Sequence, residues 1–245
     1  MSSTSAPGGG VLWVTTSVMN KALPLSLLDD WYDEHKDDVL NAHGHGGLVL
    51  RYKNLDPATD PYFDPKFADR STSDATLRSI ADSHWVYLAL VKLSDLDWLT
   101  SKQFIDMPRV SKQLPPEADG SIGSAFSCWY AALRSYETVG KIDDATGKST
   151  QPKYILSIQT RDADDSTWAA LDEKYNTLPG FRGVVKYKNV NGLLEYQEPG
   201  QLPVGLALYQ FDGEEPPQSP VGTDQIVKAD VWEYILEAGD KSLRL

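Results

Sequence analysis

Gly47-Leu48-Val49-Leu50-Arg51-Tyr52-Lys53-Asn54 reappears in the second half of the chain as Arg182-Gly183-Val184-Val185-Lys186-Tyr187-Lys188-Asn189. Two further segments echo in the same order. Tyr87-Leu88-Ala89-Leu90-Val91-Lys92-Leu93 matches Gly205-Leu206-Ala207-Leu208-Tyr209-Gln210-Phe211, and Cys128-Trp129-Tyr130-Ala131-Ala132-Leu133 matches Val231-Trp232-Glu233-Tyr234-Ile235-Leu236. Three echoes in one order predict a duplicated unit of roughly 100 residues, an ordinary domain size. That is too long for a solenoid repeat. The expectation is two similar folds facing each other, with any site between them. The chain divides into a flexible tail (1–10), a first unit (11–139), a linker (140–152) and a second unit (153–245).

Hydrophobic periodicity supplies the elements. Over 11–18, Leu12, Val14 and Val18 fall on one face of a strand and Trp13, Thr15 and Ser17 on the other. Leu28, Trp31, Tyr32, His35 and Val39 lie at helical spacing and predict a helix over 27–42. Ser26 with Asp29 reads as its N-terminal cap, and Gly44, Gly46 and Gly47 end it. A strand over 48–54 follows, then a Pro-, Asp- and Ser-rich insertion over 55–83. So long a connection is expected to be functional and to cover one end of the assembly. A strand over 85–93, a short helix over 95–105 and a strand over 126–137 complete a β-α-β-β-α-β order, the ferredoxin-like plan. The second unit repeats it with strands at 153–160, 183–190, 204–211 and 231–237 and a helix at 166–178. Pro216, Pro217 and Pro220 disfavour its second helix. Each unit leaves one sheet face bare, and two bare faces pack together. The fold class is α+β, two tandem ferredoxin-like units.

Composition narrows the partners. The 245-residue chain is 41% hydrophobic with seven Trp, and no stretch approaches the ~20 apolar residues of a membrane helix. Its opening ten residues carry no basic residue and no apolar run, unlike a signal peptide. The single cysteine, Cys128, fits a reducing, cytoplasmic setting and reads as a small buried hydrophobe. A net charge of −12 with pI near 4.7 disfavours nucleic acid and anionic lipid. The expected partner is a small apolar or aromatic molecule. The halves form a pseudo-dimer within one chain, and further homodimerisation is left open.

Trp31-Tyr32-Asp33-Glu34-His35, then Val39-Leu40 and the glycine-led strand ending Tyr52-Lys53-Asn54, resembles the EthD-like members of the dimeric α+β barrel superfamily. The tandem form with an insertion between the second and third strands is similar to versions in fungal natural-product clusters. The resemblance implies an intramolecular antiparallel barrel around an enclosed apolar cavity. Related proteins include cofactor-free monooxygenases on quinol-like polyketides, polyketide cyclases, isomerases and decarboxylase-like proteins, and some bind haem. Fold alone does not choose among them. The second half departs from the pattern. Its helix reads Trp168-Ala169-Ala170-Leu171-Asp172-Glu173-Lys174-Tyr175 and sets Ala170 or Asp172 opposite His35.

His35 is the candidate general acid or base, projecting into the cavity mouth, because imidazole titrates near neutral pH. The bland reading is a core-edge histidine bonded to a carbonyl or carboxylate. Tyr32 or Tyr87 would orient a phenol or carbonyl. Candidate substrate-binding residues are Trp13, Ser17, His45, His84, Trp85, Ser157 and Tyr209. Alternation assigns Trp13, Thr15, Ser17, Trp85, Tyr87, Ala89 and Val91 to the cavity in the first half, and Ile155, Ser157, Gln159, Gly205, Ala207 and Tyr209 in the second. Leu88, Leu90, Leu206 and Leu208 would then face the helices. His43 and His45 read as loop histidines, and no metal is expected. Arg51 and Lys186 read as exposed edge-strand charges. Arg134 and Glu237 pair across the halves or are solvated. Nucleotide and hydrolase motifs are missing, so no cofactor is expected, with haem the one exception kept open. The leading reading is a cofactor-independent enzyme on an aromatic or polyketide-like molecule, acting by proton transfer: cyclisation, dehydration, decarboxylation or isomerisation. A lyase, cyclase or isomerase ranks ahead of a cofactor-free monooxygenase. Behind these stand a haem protein of the same superfamily and a non-catalytic small-molecule binding module.

Overall fold

The β-branched and aromatic run that opens the first unit becomes strand β1 (Gly10–Val18). The structure is a computed structural model that describes residues 9–18, 22–44, 46–55, 85–142, 150–190, 203–220 and 224–245. Most of the expected tail, most of the linker, His45, His84 and nearly all of the insertion lie outside them.

After β1 come α1 (Leu25–Ala42), β2 (Leu48–Asn54), β3 (Tyr87–Leu93) and a short 3-10 helix (Leu96–Thr100). Then follow α2 (Lys102–Ile105), β4 (Val110–Ser111), β5 (Gly123–Ser124), α3 (Ala125–Cys128) and β6 (Trp129–Ile142). The second half holds β7 (Tyr154–Thr160), α4 (Asp165–Tyr175), β8 (Phe181–Asn189), β9 (Gly205–Phe211) and β10 (Ile226–Gly239). Between β9 and β10 the Pro-rich chain forms no helix among the described residues. Local chemistry differs from expectation at several ends. Pro24 precedes α1 with no side-chain cap, so Ser26 is not its cap. Asp95 caps the 3-10 helix and Ser101 caps α2, in place of one helix capped by Ser94. Strand β6 runs to Ile142, into the expected linker.

Eight strands close an antiparallel barrel in the order β1-β3-β2-β10-β7-β9-β8-β6. The first half supplies the run β6-β1-β3-β2 and the second supplies β10-β7-β9-β8, the same internal order twice. The seams between halves are β2 with β10 and β6 with β8. Each seam carries one bulge, at Val139 and at Ile235, whose side chains are 49% and 40% exposed. The registers make the halves equivalent. Leu90 lies opposite Trp13 and Leu208 opposite Ser157; Arg134 lies opposite Trp13 and Asp230 opposite Ser157. Arg134 therefore corresponds to Asp230, not to Glu237. The third sequence echo is out of register, while the first two agree with the strand pairing.

Residues directly opposite each other share a face, which settles what lies inside. Trp13, Leu50, Tyr52, Leu88, Leu90, Tyr136, Ile155, Val185, Tyr187, Leu206, Leu208 and Trp232 form one buried cluster drawn from every barrel strand. Trp13 and Trp232 meet edge to face within it, ring centroids 6.1 Å apart. The assignments for β3 and β9 are corrected: the leucines point inward, and Tyr87, Ala89, Val91, Gly205, Ala207 and Tyr209 point outward. The outer faces are not bare. Val39 and Leu40 of α1 pack on Leu12, Val49, Val91 and Leu93, and Trp168, Leu171 and Tyr175 of α4 pack on Leu156, Ile158, Val184 and Ala207. Leu243 and Leu245 pack into the interior cluster at the end where β1 begins, and Lys92 donates its ammonium to the Arg244 carbonyl there. No helix among the described residues is long and apolar enough to cross a membrane.

Candidate functional site

The three candidate catalytic side chains come together between α1 and the outer face of the first-half strands. A helical repeat puts Asp29, Tyr32 and His35 on neighbouring turns of α1. On the sheet, Arg51 of β2 lies opposite Ala89, and Tyr87 opposite Lys53, so Arg51 and Tyr87 share the outer face. Arg51 is only 2% exposed. Its guanidinium lies against two tyrosine rings, 4.7 Å from the Tyr32 centroid and 4.3 Å from that of Tyr87. It also donates to the Asp29 carboxylate at 2.6 Å. Burial raises the Tyr87 phenol, Asp29 adds to that, and Arg51 opposes it. Burial likewise pushes the Tyr32 phenol up, against the pull of Arg51. Both phenols stay protonated at neutral pH, as donors.

His35 is stacked on Trp31, ring centroids 4.5 Å apart and planes 16° from parallel. The Tyr32 ring stands edge-on to it at 6.5 Å. Trp129 lies beside Trp31, ring centroids 6.2 Å apart and planes tilted by 43°. His35 Nδ1 is buried without a hydrogen-bond partner among the described residues, and a carboxylate oxygen of Asp38 is 3.6 Å away. Burial, with help from the nearby Arg109 guanidinium, lowers the His35 pKa from 6.5 to about 4. The imidazole is therefore neutral at pH 7. It lies on the helix side of the sheet, not at the mouth of the barrel interior as expected. The segment carrying Arg109 is tied to α1 by Ser111 and Gln113, which donate to Glu34 at 2.6 and 3.3 Å.

The corresponding place in the second half is closed by a salt bridge. Asp172 stands four residues after Trp168, as His35 does after Trp31. It pairs with Lys186 at 2.5 Å and accepts from the Tyr209 hydroxyl at 2.8 Å. Lys186, half-buried, and Arg51, buried, are equivalent in sequence and register, and each is the partner of a helix carboxylate. The edge-charge reading of the two is corrected.

The candidate substrate-binding residues divide. Trp13, Ser17 and Ser157 face the interior, and Trp85 packs into the interior cluster. Ser157 accepts from Trp232 Nε1 at 2.8 Å. Tyr209 lies on the outer face under α4, and His45 and His84 lie outside the described residues. The histidine pair of that loop is thus represented by His43 alone, whose ring meets Trp98 edge-on at 4.7 Å. No group of three or more His, Cys, Asp or Glu side chains among the described residues is placed to hold a metal ion. Cys128 is buried, and burial raises its thiol. Arg134 and Glu237 do not pair: Arg134 donates to Gln159 at 3.0 Å, and Glu237 meets Lys241 at 2.8 Å. Sequence reasoning missed Arg51, Asp29, Trp129 and Arg109 as site residues. A usable signal existed for the first two, a cation at the same place in both second strands and an acid on each preceding helix.

No family model matches the chain. Over nearly its whole length it is similar to Core atranone cluster (CAC) protein 1 of Stachybotrys chlorohalonatus (strain IBT 40285), 24% identical over 251 residues that cover 94% of this chain and 92% of that protein. Among solved structures it is similar to an anthrone oxidase-like protein, with TM-score 0.49 and 12% identity over 96% of this chain and 94% of that one. A candidate monooxygenase from Fusobacterium nucleatum subsp. nucleatum gives TM-score 0.45 and 9% identity over 96% of each chain. Scores this low establish no shared fold, and the architecture rests on the strand pairing itself.

Proposed function

We propose that this protein is a cofactor-independent enzyme that moves a proton on an aromatic or polyketide-like small molecule at the α1–sheet site. The observation that carries the reading is His35, a half-buried neutral imidazole whose buried Nδ1 has no partner among the described residues, beside Tyr32 and the Arg51 cluster. An unsatisfied buried nitrogen costs stability unless something uses it. His35 takes the proton from carbon or a phenol. Tyr32, a protonated donor, holds the carbonyl oxygen on which negative charge collects, and Arg51 beneath it favours that charge. With its conjugate acid near 4 the imidazole is a weak base that is free to accept a proton at pH 7, so the substrate must be an activated carbon acid, such as a CH2 between a carbonyl and an aromatic ring. Trp31, Tyr32 and Trp129 give the site an aromatic wall. Similarity to a protein named for the core atranone cluster supports a role in natural-product chemistry. The repeated strand order and register support two tandem ferredoxin-like units in an intramolecular dimeric α+β barrel. The EthD-like assignment within it rests on the resemblance of the stretch 31–54.

The test is deuterium exchange into aryl ketones such as β-tetralone, followed by NMR in heavy water. Wild-type protein should accelerate exchange, and His35→Ala should lose about 10²–10⁴-fold of that rate with its unfolding midpoint little changed. Full exchange activity in His35→Ala would remove His35 from the chemistry. Oxygen-dependent consumption of the substrate with gain of an oxygen atom would favour a monooxygenase instead.

A further inference from the structure

The barrel interior contains a buried cation that meets no carboxylate among the described residues. Arg134 on β6 is 2% exposed, and a guanidinium stays protonated inside proteins. It donates to a neutral group, the Gln159 amide oxygen across the barrel at 3.0 Å, and its Nε has no partner among the described residues. No carboxylate among the described residues forms an ion pair with it. An uncompensated buried charge is strongly destabilising, so such a group usually has a partner that is bound rather than built in.

The side chains around it have unspent donors. Trp13 lies directly opposite Arg134 on β1, and its indole Nε1 is fully buried with no acceptor. Thr15 follows on the same inward face, with its hydroxyl buried and unpartnered. Tyr136 is the next inward residue on β6, opposite Asn189 of the other half. Burial raises its phenol, and the Arg134 guanidinium and the Asn189 side chain beside the hydroxyl oppose that rise by hydrogen bonding. The hydroxyl finds no acceptor of good geometry for its own proton among the described residues. Guanidinium and indole can only donate, and both hydroxyls can do so. A group of donors around one positive charge is matched by an acceptor that carries negative charge. The pseudo-equivalent place supports this by contrast. There Asp230 replaces Arg134, Asn54 donates to it at 3.3 Å, Lys228 lies 3.5 Å away, and Ser157 accepts from Trp232.

We propose that Arg134, Trp13, Thr15 and Tyr136 form a binding site for the carboxylate of a small aromatic acid inside the barrel. It is a second site, on the opposite face of the sheet from His35, and it does not depend on the proton-transfer reading. The aromatic body would lie against Trp13 and Trp232, which already meet edge to face.

The experiment is calorimetric titration and thermal unfolding of the full chain with benzoate and naphthoate, and with benzamide and naphthamide as neutral partners of the same shape. The acids should bind wild-type protein and raise its midpoint, and the amides should not. Arg134→Met should weaken acid binding about 10- to 100-fold, the range for a hydrogen bond to a charged group. The ligand-free midpoint of this variant should hold or rise, because a buried charge is replaced by an apolar chain of similar length. Thr15→Val should weaken binding less. Equal binding of acids and amides, no binding of either acid at millimolar concentration, or undiminished binding by Arg134→Met would each overturn the site. A collapsed midpoint in ligand-free Arg134→Met would also overturn it, since the guanidinium would then serve the fold and not a ligand.

Discussion

His35 is the residue at which packing and chemistry compete most openly. Trp31 covers one face of its ring, and the protein holds it neutral. An imidazole whose pKa falls from 6.5 to about 4 on folding binds fewer protons than the unfolded chain between those values. Its contribution is therefore fully present above pH 6.5 and is lost as pH falls towards 4. The size is on the order of 3 kcal/mol. Urea midpoints of wild-type protein should fall between pH 7 and pH 5 by more than those of His35→Leu, which has nothing to titrate there. Parallel falls in the two proteins would contradict the burial of the imidazole. If the same group is the base, the acid limb of the exchange rate should lie near pH 4 and not near 6.5.

Elements were legible in the sequence where their chemistry is local, and less so where it depends on the partner strand. The spacing of Leu28, Trp31, Tyr32, His35 and Val39 marks α1, and the alternation of β1 puts Trp13 and Thr15 on the inner face, where the register has them. Strands β3 and β9 defeated the same rule. Tyr87-Leu88-Ala89-Leu90-Val91 is buried on both faces, one against the opposite sheet and one under a helix, so alternation carries no direction. Only the pairing of Leu90 with Trp13 decides it. The same blindness made Arg51 an edge charge, because nothing local shows that a helix covers it. Glycines mark one further place where an element meets its limit. Gly239 ends β10 at φ +100°, and a Cβ there would lie 2.2 Å from the Gly47 carbonyl oxygen. Gly239→Ala should cost about 2–4 kcal/mol, from the left-handed backbone and the clash together. Chemical denaturation would read this as a lower midpoint at unchanged slope, and an unaffected midpoint would mean that β10 ends differently.

At the scale of the whole molecule the barrel joins two equivalent halves that have diverged in what they bury. One keeps a histidine beside a tryptophan, and the other has filled that place with Asp172, Lys186 and Tyr209. Closure of the end near Gly10 relies on residues 243–245, where Leu245 is 6% exposed in the interior cluster. Leu245→Asp should destabilise the fold by about 3 kcal/mol, from the lost burial and the unpaired charge. In a chain of this size that is a drop of roughly 6–12 °C in the thermal midpoint. Differential scanning calorimetry would show it, and an unchanged midpoint would mean that this segment does not seal the barrel.

The seam between β2 and β10 also orders events in time. Strand β2 (Leu48–Asn54) is made early, yet the partner for its outer edge begins only at Ile226. At ~5–20 residues per second a ribosome needs roughly 10–30 s to reach it. Throughout that interval the nascent chain presents an apolar strand with open backbone donors and acceptors, a surface that invites pairing with another chain. Contacts so distant along the sequence also make closure a slow step. The protein is thus most exposed to aggregation before it is finished, and its yield in a heterologous host should respond to translation speed and chaperone supply more than to the stability of the closed barrel.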